Sequence, residues 1–143
     1  MSQLPVGWRI DTFANSGIKI IDGDRGKQYP NSTDLMDSGY CVFLSAKNVT
    51  KSGFKFDSVQ FISEEKHNQL RKGLVKKGNI VLTTRGTVGQ FGYFNDDVNF
   101  EILRINSGMV ILDHYESVTI RNGKYNSDQL LKKFNFENQF FEI

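Results

Sequence analysis

A chain of 143 residues, 38% of them apolar and 24% charged, is sized for one ordinary domain and composed for a packed core rather than for disorder. Its single cysteine excludes an internal disulfide and fits a reducing compartment, while a net charge of +2 leaves the class of partner open. No apolar run suits a signal peptide or reaches the ~18 residues of a membrane helix, so a soluble, cytoplasmic protein with no membrane partner is expected.

In chain order, Leu4-Pro5-Val6-Gly7-Trp8 opens on an extended or turning path, with Trp8 expected as an anchor on the core. Residues 17–21 carry β-branched side chains in a row and read as a strand. Residues 22–30, with their glycines, charges and closing Pro30, read as a loop. Residues 31–38 are polar, with a helical turn expected over 34–36. Residues 40–44 are apolar without alternation, as in a strand buried on both faces, with Cys41 a small core residue. Residues 51–53 form a turn and 59–62 an extended segment. Ser63 suits a helix N-cap and Glu64 and Glu65 suit the dipole of the first turn, although Lys66 leaves a capping box incomplete. That helix is expected to reach Arg71 or Lys72 and to stop at Gly73. Strands follow at 80–83, 90–94, 101–105 and 108–112, and Ser127-Asp128 caps a final helix with Leu130, Leu131 and Phe134 on one face. The fold class this predicts is α+β, rich in β-strands with a few short helices, and not a doubly wound parallel sheet.

No cofactor is implied, because neither a Walker loop nor a dinucleotide glycine pattern occurs. His67 and His114 lie far apart in unlike contexts and the chain has one cysteine, which argues against zinc. Asp22 and Asp24 resemble the start of a calcium loop, but Arg25 and Lys27 would repel the cation, so a structured turn is preferred. No nucleophile–base pair can be drawn, and catalysis is not expected.

Three loops place polar donors beside glycines or small residues. They are Asp24-Arg25-Gly26-Lys27-Gln28-Tyr29, Ser45-Ala46-Lys47-Asn48 and Thr84-Arg85-Gly86-Thr87. Arginine pairs in bidentate fashion with guanine and Asn or Gln with adenine, while Lys, Ser and Thr hold phosphates. Residues 58–90 carry six basic side chains against two acidic, and 91–143 five against eight, so a basic middle is set against an acidic tail. If the loops converge, Arg25, Lys27, Gln28, Tyr29, Lys47, Asn48, Thr84, Arg85 and Thr87 become candidate DNA-binding residues. The bland reading is a solvated surface and a hairpin with a charged tip.

Several ordered motifs resemble the target-recognition domain of the specificity (S) subunit of type I restriction–modification enzymes. These are Leu4-Pro5-x-Gly7-Trp8, the run from Ile21 to Pro30, Phe43-Leu44-Ser45-Ala46-Lys47-Asn48-Val49, Ile62-Ser63-Glu64-Glu65-x-His67, the run from Lys77 through Arg85 to Gly89, and Ile105-Asn106-Ser107-Gly108-Met109. The resemblance implies a β-rich DNA methylase specificity-type fold and a non-catalytic component that reads double-stranded DNA. Its implied partners are modification (methyltransferase) subunits, through them restriction subunits, and a second S-subunit half. Each such domain reads one half of a split site. It also implies that Lys47 and Arg85 occupy motif positions, where Arg85 holds a phosphate or braces the hairpin. Asn79 departs from the Asp usual there. On this resemblance residues 1–143 are one recognition domain, 135–143 are the start of the spacer helix, and the spacer is otherwise missing. The alternative is a truncated fragment that acts as a protein-interaction module and does not read DNA on its own.

Overall fold

The computed structural model describes residues 17–113 together with Val6, Thr12 and Asn15. The expectations for Trp8, His114, the helix after Ser127 and the spacer start at 135–143 lie outside the described residues. Ten strands are described: β1 (Lys19–Asp22), β2 (Cys41–Phe43), β3 (Val49–Thr50), β4 (Gly53–Phe54), β5 (Phe61–Ile62), β6 (Leu74–Val75), β7 (Ile80–Thr83), β8 (Phe91–Tyr93), β9 (Leu103–Arg104) and β10 (Met109–Asp113). One α-helix, α1 (Glu64–Gln69), and two 3-10 turns, Ser32–Asp34 and Ala46–Asn48, complete the described elements. The α+β, strand-rich class read from the sequence is the class observed.

The strands form one four-stranded sheet in the order β1-β10-β7-β8, a second in the order β5-β2-β9-β6, and a hairpin, β3-β4. The first sheet is antiparallel throughout. The second contains one parallel pair, β2 with β9, flanked by antiparallel neighbours. Two of these contacts, β1 with β10 and β2 with β9, join segments far apart in sequence.

The main core lies between the sheets. Val42, Val75, Leu103 and Ile105 meet Val81, Phe94, Met109 and Ile111 there. The opposite face of the first sheet buries Ile18, Ile80, Leu82 and Leu112. The opposite face of the second buries Cys41, Phe43, Ile62 and Leu70 under the 23–35 segment. This explains why 80–82 and 41–44 are apolar without alternation: successive side chains enter different cores, and both faces are covered. Burial pushes the Cys41 thiol up to about 12, so it is an inert packing residue.

Gly92 of β8 allows the hairpin to lie on the sheet, since a methyl added there would meet the Phe54 ring at 2.7 Å. Phe54 stacks on Phe56, and Phe56 meets Phe100 edge-on.

Three local expectations shift. The early helical turn sits at Ser32–Asp34, because Asn31 accepts from Thr33 N–H while Asp34 reaches back to Asn31 N–H. Helix α1 starts at its Ser63 cap, whose hydroxyl accepts from Lys66 N–H at 3.1 Å. It stops at Gln69, short of Arg71. The Asp24 carboxylate takes the N–H groups of Arg71 and Lys72 at 2.5 and 3.0 Å, leaving none to continue the helix. The short strand β6 then follows at Leu74–Val75, a strand not expected from local pattern.

Candidate nucleic-acid interface

Strand register decides where the loops emerge. Asp22, at the end of β1, pairs with Val110, and Thr83, at the end of β7, pairs with Met109. Phe43, at the end of β2, and Leu74, at the start of β6, both pair with Arg104, at the end of β9. The β9–β10 connection, residues 105–108, lies beyond those pairs. Segments 23–30, 45–48, 71–73, 84–89 and 106–108 therefore leave one end of the two sheets. Turns 76–79 and 95–97 sit at the other end, where Phe94 N–H donates to Asn79 carbonyl at 3.0 Å.

The 106–108 turn joins two of the three loops singled out in the sequence. Ser107 N–H donates to the Tyr29 hydroxyl at 3.0 Å, across 78 residues of chain. Gly108 carbonyl accepts from Thr84 and Arg85 N–H at 2.8 and 3.3 Å. The Tyr29 ring is itself seated edge-on against Phe43 at 5.6 Å. Tyr29 is thus half-buried and fastens its loop; its phenol oxygen, not its ring, is turned to the hub.

Loop 84–89 is braced from inside. Thr83 Oγ1 donates to Thr87 carbonyl at 2.6 Å and accepts from Gln90 N–H at 2.9 Å, and Gly89 N–H returns to Thr83 carbonyl at 3.0 Å. Gly86 and Gly89 adopt φ of 71° and 90°, a region that L side chains rarely enter. Thr84, Arg85 and Thr87 are exposed on this tip. The Arg85 guanidinium makes no hydrogen bond or ion pair with the described residues, so its donors are open to an anion or a base edge.

In loop 23–30, Arg25 is exposed but engaged: it donates to Asp22 through Nε at 3.2 Å and through a terminal nitrogen at 3.0 Å. The Arg25 hydrogen bond holds the Asp22 carboxyl below its ordinary range, against the opposing effect of partial burial. Two of its five N–H donors are spent on Asp22, whose charge offsets the pull of Arg25 on a phosphate, and the remaining donors face outward. Lys27 and Gln28 are exposed, and Gln28 carbonyl accepts from Lys66 Nζ at 3.2 Å. Asp24 forms the structured turn expected of it, through the Arg71 and Lys72 amides.

The third loop divides. Lys47 is exposed at the same end of the sheets, with no hydrogen bond tying its side chain to the other loops. Asn48 is corrected. It is fully buried, its amide nitrogen donates to Lys55 and Ser58 carbonyls at 3.0 and 2.9 Å, and its oxygen accepts from Ser45 N–H at 2.9 Å. All of its capacity is used inside the protein, so it cannot read a base in this structure.

Arg104 is the residue that sequence reading missed. It is 5% exposed and has no carboxylate partner within ion-pair distance among the described residues. Its guanidinium donates to His67 Nδ1 at 2.9 Å, Lys72 carbonyl at 2.7 Å, His67 carbonyl at 3.2 Å and Leu70 carbonyl at 3.4 Å. The carbonyls at the end of α1 supply partial negative charge in place of a counter-ion. Burial lowers the Arg104 pKa from its ordinary value, but a guanidinium stays protonated.

His67 must be neutral to accept from Arg104. Burial, then the Arg104 charge, lower its pKa below the ordinary 6.5. The unfolded chain therefore takes the proton first. Stability from this pair is full above about pH 7.5 and is lost as pH falls through ~6.5 toward the lowered folded value. Thermal melts between pH 8 and 5.5 should show this slope, and His67→Asn, which keeps an acceptor but does not titrate, should flatten it.

No group of three or more His, Cys, Asp or Glu side chains among the described residues could hold a metal ion. Among the described residues no helix is long and apolar enough to cross a membrane. What the end of the sheets offers is a rigid surface of amide, hydroxyl and cationic donors.

No family model matches the chain, and no curated protein matches it. Among solved structures, the HsdS subunit from Thermoanaerobacter tengcongensis aligns over 99% of this chain with a TM-score of 0.53 and 17% identity. A chain from a study of the structural basis underlying complex assembly and conformational transition of the type I R-M system aligns over 87%, with a TM-score of 0.53 and 18% identity. The fold is thus similar to that of a segment of each of these two chains. The chain spans about a third of each, 34% and 32% respectively.

Proposed function

We propose that this chain is a non-catalytic target-recognition module of the type I restriction–modification kind, which reads duplex DNA with the loops at one end of its sheets. In this reading residues 1–143 are one module, with 135–143 the start of a spacer. It works in the cytoplasm, directing methyltransferase subunits, and through them restriction subunits, to one half of a split site. A second S-subunit half supplies the other. No cofactor of its own is needed.

The observation that carries this reading is the hub at 106–108. A hydrogen bond from Ser107 to Tyr29 and two from Thr84 and Arg85 to Gly108 hold two donor-bearing loops side by side. Lys27, Gln28, Lys47, Thr84, Arg85 and Thr87 are exposed on loops that leave this end of the sheets. The loop backbones are held in place before binding, which lowers the cost of association. The likeness in fold to type I specificity subunits points the same way.

The test is titration of labelled duplexes selected from a mixed-sequence pool. Arg85→Ala should weaken binding by ~1–3 kcal/mol if it reads a base, roughly 5- to 150-fold, and relax preference at one position. Lys27→Ala should weaken all sequences alike. Both side chains are exposed, so melting temperatures should not move. Unchanged binding by both variants would refute the loop assignment.

A further inference from the structure

Turn 71–73 lies at the same end of the sheets and was not among the candidate residues read from the sequence. Its backbone is held from both sides. The Asp24 carboxylate accepts from Arg71 and Lys72 N–H at 2.5 and 3.0 Å. The buried Arg104 donates to Lys72 carbonyl at 2.7 Å. Gly73 follows with φ of 92°, packed so closely on Gly23 that an added methyl would stand 3.2 Å from the Gly23 Cα. Its carbonyl accepts from Ile105 N–H at 3.0 Å, one residue before the hub turn. A surface turn is thus fixed by a carboxylate, a buried guanidinium and a close glycine–glycine contact.

What this fixed backbone displays is cationic. Arg71 and Lys72 are exposed, and neither side chain makes a hydrogen bond or ion pair with the described residues. Loop 23–30 beside them adds Lys27 and Arg25. Against these four cations stand Asp22 and Asp24. Asp22 pairs with Arg25, and Asp24 keeps its negative charge while its oxygen is taken by backbone amides, so the four cations and two carboxylates leave a net positive charge beside this turn. Lys66, further along, is already paired with Asp34 at 3.7 Å.

We propose that Arg71 and Lys72 form a preformed phosphate-binding turn, which grips the DNA backbone while loops 23–30 and 84–89 face the bases. The proposal rests on the duplex-reading assignment above and adds to it a division of labour. Exposed cations on a fixed turn give register and salt dependence, and they carry no sequence information.

The test compares two double variants that remove equal charge from opposite ends of the sheets. One is Arg71→Gln with Lys72→Gln. The other is Lys76→Gln with Lys77→Gln, in the turn at the far end. The probe is a labelled mixed-sequence duplex, and the readout is the slope of log affinity against log salt. The wild type should bind with a negative slope. The 71/72 variant should reduce that slope by about 1–2 and leave the selected sequence unchanged, whereas the 76/77 variant should keep the slope. Equal slopes for the two variants, or a 71/72 slope equal to wild type, would overturn the phosphate turn while duplex reading stood. Failure of the wild type to bind any duplex would overturn both.

Discussion

Arg104→Met should destabilise the protein by about 3 kcal/mol, the largest effect expected of any single polar substitution in it. Methionine replaces the stem of the side chain without strain, so the loss reports the guanidinium. That group satisfies the carbonyls of Lys72, His67 and Leu70 and the ring of His67, in a region partly shielded from water. Its removal takes a donor from each, and a buried acceptor left unpaired carries a desolvation penalty of about 1–3 kcal/mol, softened where water can enter. Chemical denaturation should show a lower midpoint with an unchanged slope. Cys41, the only cysteine of the chain and fully buried, provides a second readout. Its reaction with a thiol reagent should become faster as the region opens more often. The pH slope assigned to His67 should shrink in the same variant, since the cation that lowers its pKa is gone.

Asn48→Ala should cost about 2–3 kcal/mol. The side chain bridges Ser45 N–H to the carbonyls of Lys55 and Ser58, and so closes the segment that carries the β3–β4 hairpin back onto the sheet. Alanine removes every one of these bonds and supplies no replacement. The variant should melt roughly 5–10 °C lower. Its selected DNA sequence should be unaltered, because Asn48 is buried and does not meet the duplex. A changed preference with intact stability would instead restore Asn48 to the reading surface.

These two residues mark the limit of what the amino-acid sequence discloses. Strands β2 and β7 were legible because their apolar runs lack alternation, and the helix start was legible from Ser63 and the acidic pair behind it. The Thr-Arg-Gly-Thr tip was legible because glycine spacing announces a tight turn. Arg104 was not, since Glu101 to Ile105 reads as a strand and its partners stand 32 to 37 residues away. Asn48 carried the same amide whether it met a base or capped a turn; only the fold decides which. Arg25 was half legible: an aspartate three residues before an arginine is a local pairing signal, and it discounts a cation that composition counts in full. The convergence of the loops was beyond the sequence altogether. It depends on β1 pairing with β10 and β2 pairing with β9, contacts that local patterns do not encode.

Amide hydrogen exchange with and without a bound duplex measures directly which end of the molecule takes the proposed DNA. Added duplex should slow exchange in 23–30, 71–73, 84–89 and 106–108, and leave 76–79 and 95–97 as they were. Protection confined to 76–79 and 95–97, with the hub turn unaffected, would contradict it.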